Sequence, residues 1–298
     1  MKEHATSLGK LYIIPTPIGN LEDMTYRGVR LLHEVDRILA EDTRRTRILC
    51  DHYGVRTPVT HFDDHNAMRL LPGLLDELAQ GVVMALVSDA GTPGISDPGL
   101  PLIRAASEMV KVEALPGASA ITTALSGSGF VCDRFVFEGF LPRKGVERRR
   151  RLESMVQEDR TVAFFESPQR LSATLADLVE TGAGMRSVVV ARELTKMFET
   201  MYRGTLLEIA ERLQVERVRG EIVVILEGKT WTPLSLEQAG EMLDAALAGG
   251  MSMRDATRYL APQTGLPATE LYRMALARRL TPACTQDVVD EKKSDQSS

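Results

Sequence analysis

Apolar residues along the chain alternate between short unbroken runs and stretches in which they recur every three to four positions. The first pattern suits a buried strand and the second a helix with one face in a core. Residues 11–15 form the first run, ended by Pro15 and Pro17, which cannot donate to a strand ladder. A helix is expected over 27–35, a short strand over 37–40 and a weaker strand over 59–62. Within 66–80, Leu70, Leu71, Leu74, Leu75 and Leu78 make the stripe of an amphipathic helix. Strands are expected over 82–87 and 110–115, with a helix over 118–126. Turn formers between Gly139 and Gly145 precede a very basic helix. Strands over 161–165, 187–191, 201–205 and 221–226 then alternate with helices over 168–180 and 206–213.

This alternation predicts an α/β protein with mostly parallel sheets covered by helices. The expected organisation is a tail (1–10), two α/β domains (11–128 and 129–228), a linker (229–235), a helical unit (236–280) and a disordered polar tail (281–298). Within the helical unit, a helix over 254–262, a turn around Gly265 and a helix over 268–279 have helix-turn-helix spacing.

Composition narrows the class. A chain of 298 residues with 44% hydrophobic and 26% charged residues is not globally disordered, and its length suits two domains. No apolar run approaches the ~18 residues of a membrane span. The start, Met1-Lys2-Glu3-His4, does not read as a secretory signal. Cys50, Cys132 and Cys284 are too scattered for a disulfide framework or a zinc ribbon, so a cytoplasmic setting is expected. The net charge of −5 argues against a nonspecific nucleic-acid coat. Against that background, the cluster Arg143, Lys144, Arg148, Arg149, Arg150 and Arg151 stands out, as do Arg254 and Arg273 near the end. Localised positive charge on an acidic protein is the footprint of phosphate contact.

The strongest chemical signal is Ser88-Asp89-Ala90-Gly91-Thr92-Pro93-Gly94-Ile95-Ser96-Asp97-Pro98-Gly99, directly after the clearest strand of the first half. Ligands of open parallel sheets bind beyond the carboxyl ends of strands. Small residues there let backbone approach a ligand, and Asp89 and Asp97 offer acceptors for hydroxyls or an amine. Leu115-Pro116-Gly117-Ala118-Ser119-Ala120 repeats the arrangement after the next strand, with Ser119 either a helix cap or a ligand contact. No Gly-x-Gly-x-x-Gly or Walker loop is present, which speaks against a standard dinucleotide site. His61, Asp63, Asp64 and His65 match no metal-ligand spacing and are expected to line a cleft or cap a helix. Glu193 and Lys196 lie just past a strand end, where one could act as base and the other as electrostatic stabiliser.

A set of motifs carries a family resemblance. These are Pro15-Thr-Pro-Ile-Gly-Asn20, Ala40-Glu-Asp-Thr-Arg44, Asp64-His-Asn66, Leu86-Val-Ser-Asp-Ala-Gly-Thr-Pro93, Asp97-Pro-Gly99, Phe137-Glu-Gly-Phe-Leu-Pro142, Phe165-Glu-Ser167, Ala191-Arg-Glu-Leu-Thr-Lys196 and Gly220-Glu221. Together they resemble the ribosomal RNA small subunit methyltransferase I family of the tetrapyrrole methylase superfamily, over about residues 11–280. The resemblance implies two α/β domains with a cleft between them, S-adenosylmethionine as methyl donor, no metal, and a homodimer. It implies as acceptor the 2'-hydroxyl of a cytidine in the decoding region of 16S rRNA, within the small ribosomal subunit. It places the donor on Ser88, Asp89, Ala90, Gly91, Thr92, Pro93, Ser119, Ala120, Phe140, Leu141, Gly220 and Glu221. Where the superfamily has a glycine-rich loop after its first strand, this chain has Pro15–Asn20, expected to face the acceptor. Glu193 with Lys196, then Asp42 and His65, are the catalytic candidates. Two other classes stay open: a tetrapyrrole C-methyltransferase with the same donor, and a noncatalytic RNA-binding assembly factor.

Overall fold

Two five-stranded sheets realise the alternation of strands and helices within residues 8–229. The computed structural model describes residues 8–229 and 235–280, which fall into two units divided after Lys229. The expected disordered tail (281–298) lies outside the described residues, as do 1–7 of the N-terminal tail and 230–234 of the linker.

The first sheet and its helices comprise β1 (Lys10–Ile13), α1 (Tyr26–Glu34), β2 (Arg37–Ala40), α2 (Thr43–Tyr53), β3 (Val59–His61), α3 (Ala67–Ala79), β4 (Val83–Val87), α4 (Leu100–Ser107) and β5 (Lys111–Ala114). Its strands are all parallel, in the order β3-β2-β4-β1-β5. Both faces are covered, as parallel sheets require. Leu11 and Ile13 of β1 pack with Leu74, Leu78 and Leu102 on one face, while Ile14 joins Leu31, Leu32 and Leu49 on the other. Parallel connections bring the loops after β1, β2, β4 and β5 to one edge of the sheet, where a ligand finds backbone that no strand has used.

The chain then runs through α5 (Ala120–Ser128), β6 (Phe135–Phe140), α6 (Val146–Gln157), β7 (Thr161–Glu166), α7 (Pro168–Leu178), β8 (Ser187–Arg192), β9 (Thr200–Thr205), α8 (Leu206–Val215) and β10 (Ile222–Leu226). The second sheet has the order β6-β7-β10-β8-β9, and only β6 and β7 run parallel. The expectation of mostly parallel sheets therefore fails in this half. A parallel crossover needs a dozen or more residues, and the loop 193–199 between β8 and β9 is too short for one. β10 is buried along its whole length. Ile222, Val224 and Leu226 face α6, α7 and α8, and Val223 and Ile225 face α5 and Ile18. Each such fully buried aliphatic side chain contributes about 1.5–3 kcal/mol. The packing of Ile18, Ile121 and Leu125 on this inner face joins the two sheets.

The unit from 235 to 280 is helical: α9 (Leu236–Ala248), α10 (Met253–Thr264) and α11 (Ala268–Leu280). Ala239, Leu243, Ala256, Leu260, Leu271 and Ala275 form its core. Ser235 and Gln238 cap α9 reciprocally, and Gly265 ends α10 in the left-handed conformation with its N–H on the Ala261 carbonyl.

Candidate active site

The loops at the carboxyl edge of the first sheet are tied into one wall. Thr16 and Gly91 exchange backbone hydrogen bonds of 2.9 and 2.8 Å, which fastens the loop after β1 to the loop after β4. The Thr16 hydroxyl donates to the Ser88 carbonyl, the Ser88 hydroxyl to the Gly91 carbonyl, and the Thr92 hydroxyl to the Ala118 carbonyl. These hydroxyls set the loops. They leave Asp89, Ala90 and Gly91 to face the space beyond, with Gly91 at φ 83°, a conformation that favours glycine.

That space is a cavity of about 430 Å³ between the two sheets, within the usual range for a small-molecule site. Of the residues assigned to the donor from sequence, Asp89, Ala90, Gly91, Thr92, Ser119, Ala120, Phe140, Gly220 and Glu221 line it. Ser119 precedes α5 without a side-chain capping bond, so its hydroxyl is not used as a cap. Three assigned residues do not line this cavity. Ser88 is buried beneath the loop, Pro93 is buried, and Leu141 packs in the core beside α6 and α7. The Phe140 and Phe165 rings lie 5.3 Å apart at the cavity wall and offer an aromatic face.

One region of the cavity is acidic. Burial, with Glu41 and Asp89 nearby, pushes the Asp97 carboxyl up to about 7. Burial and Asp89 also raise the Glu41 carboxyl. Glu41 was legible as part of the Ala40–Arg44 motif and was not assigned to the donor; its place in the cavity comes from β2 lying beside β4.

A second cavity, of about 300 Å³, adjoins the first and shares Ile18, Arg45, Asp89, Ala90 and Glu221 with it. Thr16, Pro17, Ile18 and Gly19 line it, so the loop expected to face the acceptor stands opposite Lys196, which also lines it. Glu193 and Lys196 are in contact. The Lys196 ammonium lies 2.9 Å from Glu193 Oε1 and 3.0 Å from Glu221 Oε2. Burial works against the Lys196 charge, but the two carboxylates outweigh it and raise the ammonium above its ordinary value. Burial likewise opposes ionisation of Glu193, yet the Glu221 amide and Lys196 hold its carboxyl below the usual range.

Asp42 caps α2, and the Arg44 side chain and amide hold its carboxyl far below the usual range. Its own amide donates to Asp89 Oδ1 at 2.9 Å. His65 is exposed and lines neither cavity. Asp63 and Asn66 exchange side-chain bonds to each other's amides, so that part of the His/Asp cluster closes the turn into α3. Among the described residues no group of three His, Cys, Asp or Glu side chains converges as metal ligands.

The basic residues divide into two kinds. Arg148 is only 11% exposed, 2.6 Å from Asp177, and donates to Thr174; Arg151 pairs with Glu147 and Glu138. Arg143, Lys144, Arg149 and Arg150 are exposed, as are Arg254 on α10 and Arg273 on α11. Spacing along the chain offers the Arg151–Glu147 pair within α6, but Asp177, Thr174 and Glu138 come from other elements of the fold, so it could not separate the two kinds.

Comparisons with known proteins identify the family and the fold. Residues 10–210 match the family model for Tetrapyrrole (Corrin/Porphyrin) Methylases. A protein of Synechocystis named Ribosomal RNA small subunit methyltransferase I is 44% identical, over 90% of this chain and 98% of its own. Proteins of the same name from Thermotoga maritima and Escherichia coli O157:H7 are 47% and 41% identical, over 74% and 94% of this chain and all of theirs. Among solved structures, the methyltransferase CobJ superposes with a TM-score of 0.58 at 19% identity, covering 74% of this chain and 94% of its own. Uroporphyrin-III C-methyl transferase from Thermus thermophilus, complexed with S-adenosylhomocysteine, gives 0.54 at 19% identity, over 74% and 97%. At that identity these structures speak to the fold.

Proposed function

The chain belongs to the tetrapyrrole methylase family, and within it to the ribosomal RNA small subunit methyltransferase I group, and from that premise we propose that it methylates 16S rRNA with S-adenosylmethionine as donor. The acceptor we propose is the 2'-hydroxyl of one cytidine in the decoding region, presented within the small ribosomal subunit to a cytoplasmic homodimer. The reading is supported above all by the near full-length likeness to relatives of that name, taken with two adjoining cavities that suit a donor and an acceptor.

The first cavity fits the donor chemically. Glu41, Asp89 and Asp97 suit a molecule carrying a sulfonium and an ammonium, and the faces of Phe140 and Phe165 suit an adenine. Ala90, Gly91 and Ala120 allow close approach of backbone, and Gly220 and Glu221 complete the far wall. When bound, the donor supplies an electrophilic methyl group on a positively charged sulfur.

The chain's own residues then align and deprotonate the hydroxyl. Alignment supplies much of the acceleration in a transfer of this kind. The Pro15–Asn20 loop and Lys196 bound the space that the hydroxyl enters. Lys196, fixed by two carboxylates, is a cation that favours a developing alkoxide. Glu193 and Asp42 are engaged by Lys196 and Arg44, and they position Lys196 and the Asp89 carboxylate respectively. Asp89 stands where the cavities meet, with Oδ1 engaged by the Asp42 amide, and its other oxygen is assigned the proton.

The test is transfer of labelled methyl to small subunits from cells lacking the enzyme. Free 16S rRNA and a tetrapyrrole run alongside, with nuclease mapping of the product. Label on one cytidine ribose is expected. Label on the tetrapyrrole alone would move the assignment to C-methylation. Affinity for RNA without donor binding would make the protein an assembly factor.

A further inference from the structure

Resting on that reading, we infer that Arg45 is the anchor for the phosphate next to the acceptor hydroxyl. Charge is unevenly distributed where the two cavities meet. Among the residues that line both, Asp89 and Glu221 are acidic and Arg45 is the cation. Glu41 and Asp97 add further acid on the donor side. A polyanion brought to this junction meets repulsion unless a cation with free donors stands at the point of entry.

The neighbouring cations are engaged within the protein. Arg44 grips Asp42 through two nitrogens, at 3.1 and 2.7 Å. Lys196 is held between Glu193 and Glu221 at 2.9 and 3.0 Å. Arg192 donates to the carbonyls of Arg219 and Phe198. Arg45 differs from all three. Its one ion pair among the described residues is long, 3.8 Å from Nε to Asp89 Oδ2, and its side chain is 59% exposed. A pair of that length on an exposed side chain adds little to stability. Nor does the position favour α2, because Arg45 stands in the helix's first turn, where the helix dipole opposes a positive charge.

RNA chemistry supplies the occupant. A ribose 2'-hydroxyl inside a chain has the 3'-phosphodiester on the adjacent carbon, so a hydroxyl placed at the junction carries a phosphate with it. A guanidinium matches a phosphate with two parallel donors, which fixes orientation as well as distance. Arg45 thereby sets the rotation of the acceptor ribose toward the donor cavity. Its role is positioning, exerted through the phosphate and not on the reacting atoms.

Arg45→Gln and Arg45→Lys test the assignment, with wild-type protein measured in the same series. For Arg45→Gln, the KM for small subunits is expected to rise about tenfold or more. The slope of log affinity against log salt should fall by about one, and Arg45→Lys should restore the slope but only part of the KM. Affinity for S-adenosylmethionine, measured by calorimetric titration, should not weaken, because Arg45 adds positive charge beside a site for a cationic donor. That value also reports that the variant is folded. Weakened donor affinity would overturn the inference, because Arg45 would then serve the donor's carboxylate. An unchanged KM and salt slope would overturn it too, leaving the methylation reading intact. Failure of the wild-type protein to label any RNA would remove both.

Discussion

Glu193 Oε1 accepts both the Lys196 ammonium, at 2.9 Å, and the Glu221 backbone N–H, at 2.8 Å. One oxygen thus ties the loop after β8 to the strand entry at Gly220–Glu221, which walls the first cavity. Gly220 adopts φ 94°, and a Cβ there would run into the Glu193 side chain.

Replacing Glu193 by Gln keeps the shape and removes the charge. Unfolding free energy is expected to fall by about 1–3 kcal/mol and donor affinity by about tenfold, read by urea titration and calorimetry. The Glu193 carboxyl is held below its ordinary value of 4.5, so its contribution is complete above that pH and is lost as pH falls through the lower folded value. The stability gap between wild type and Glu193→Gln should therefore close in acid. A gap that persists at about pH 2 would contradict this account.

Donor affinity should depend on pH through Asp97. Its carboxyl ionises at about 7, so a cationic donor binds more tightly as pH rises through that value. Isothermal titration between about pH 6 and 8 should show the rise in wild type and a flat profile in Asp97→Asn. Stability moves the opposite way. The folded carboxyl holds its proton more tightly than the unfolded one, whose ordinary value is 3.8, so this group's contribution declines from there up through about 7. Asp97→Asn should be the more stable protein above that range.

Two glycines separate folding from positioning. A Cβ on Gly9 would meet the Val82 carbonyl and lie 2.7 Å from the Leu78 carbonyl oxygen, away from either cavity. Gly9→Ala should cost about 1–3 kcal/mol of stability and leave donor affinity within about twofold. A Cβ on Gly19 would lie 2.8 Å from both the Leu194 carbonyl oxygen and Thr195 Oγ1, and against the Lys196 stem. Gly19→Ala should lower the methylation rate by about tenfold or more, because small displacements at an aligned site are costly. Equal rates for Gly19→Ala and wild type would remove that loop from the acceptor side.

The arginines of α6 should divide in the same way. Arg148→Ala removes the partner of Asp177 and a donor to Thr174, and should cost about 1–3 kcal/mol in thermal or urea unfolding. Arg149→Ala with Arg150→Ala should leave stability within about 0.5 kcal/mol. The double variant should weaken binding to the small subunit and flatten its salt dependence by about two. Unaltered salt dependence would take this face out of the RNA contact.

The sequence by itself determined a great deal here. Unbroken apolar runs such as Ile222–Leu226 and the leucine stripe of α3 declared strands and helices, because a buried position tolerates little but an apolar side chain. The Ser88–Gly99 loop stood out as a candidate site, since small residues past a strand end let backbone approach a ligand, and Asp89 to Thr92 do line the first cavity. Local pattern was weakest where residues serve a site. α2 was not read as a helix because its first turn is polar and basic, and α4 was hidden by the Gly- and Pro-rich loop before it. β6 was missed because a bulge between Phe137 and Phe140 interrupts its register.

Only the tertiary structure decided which charges are engaged. Nothing in the spacing of Arg148, Arg149, Arg150 and Arg151 tells that the first meets Asp177 from α7, or that Arg45 is freer than Arg44 beside it. The sequence assigned Phe140 and Leu141 alike to the donor, and only the fold puts Phe140 at the cavity and its neighbour Leu141 in a core. The physical reason is the same throughout. Burial and periodicity are properties of a segment and are written along the chain, whereas ion pairs, shared cavity walls and shifted carboxyl groups depend on distances between segments that meet only after the sheets have formed.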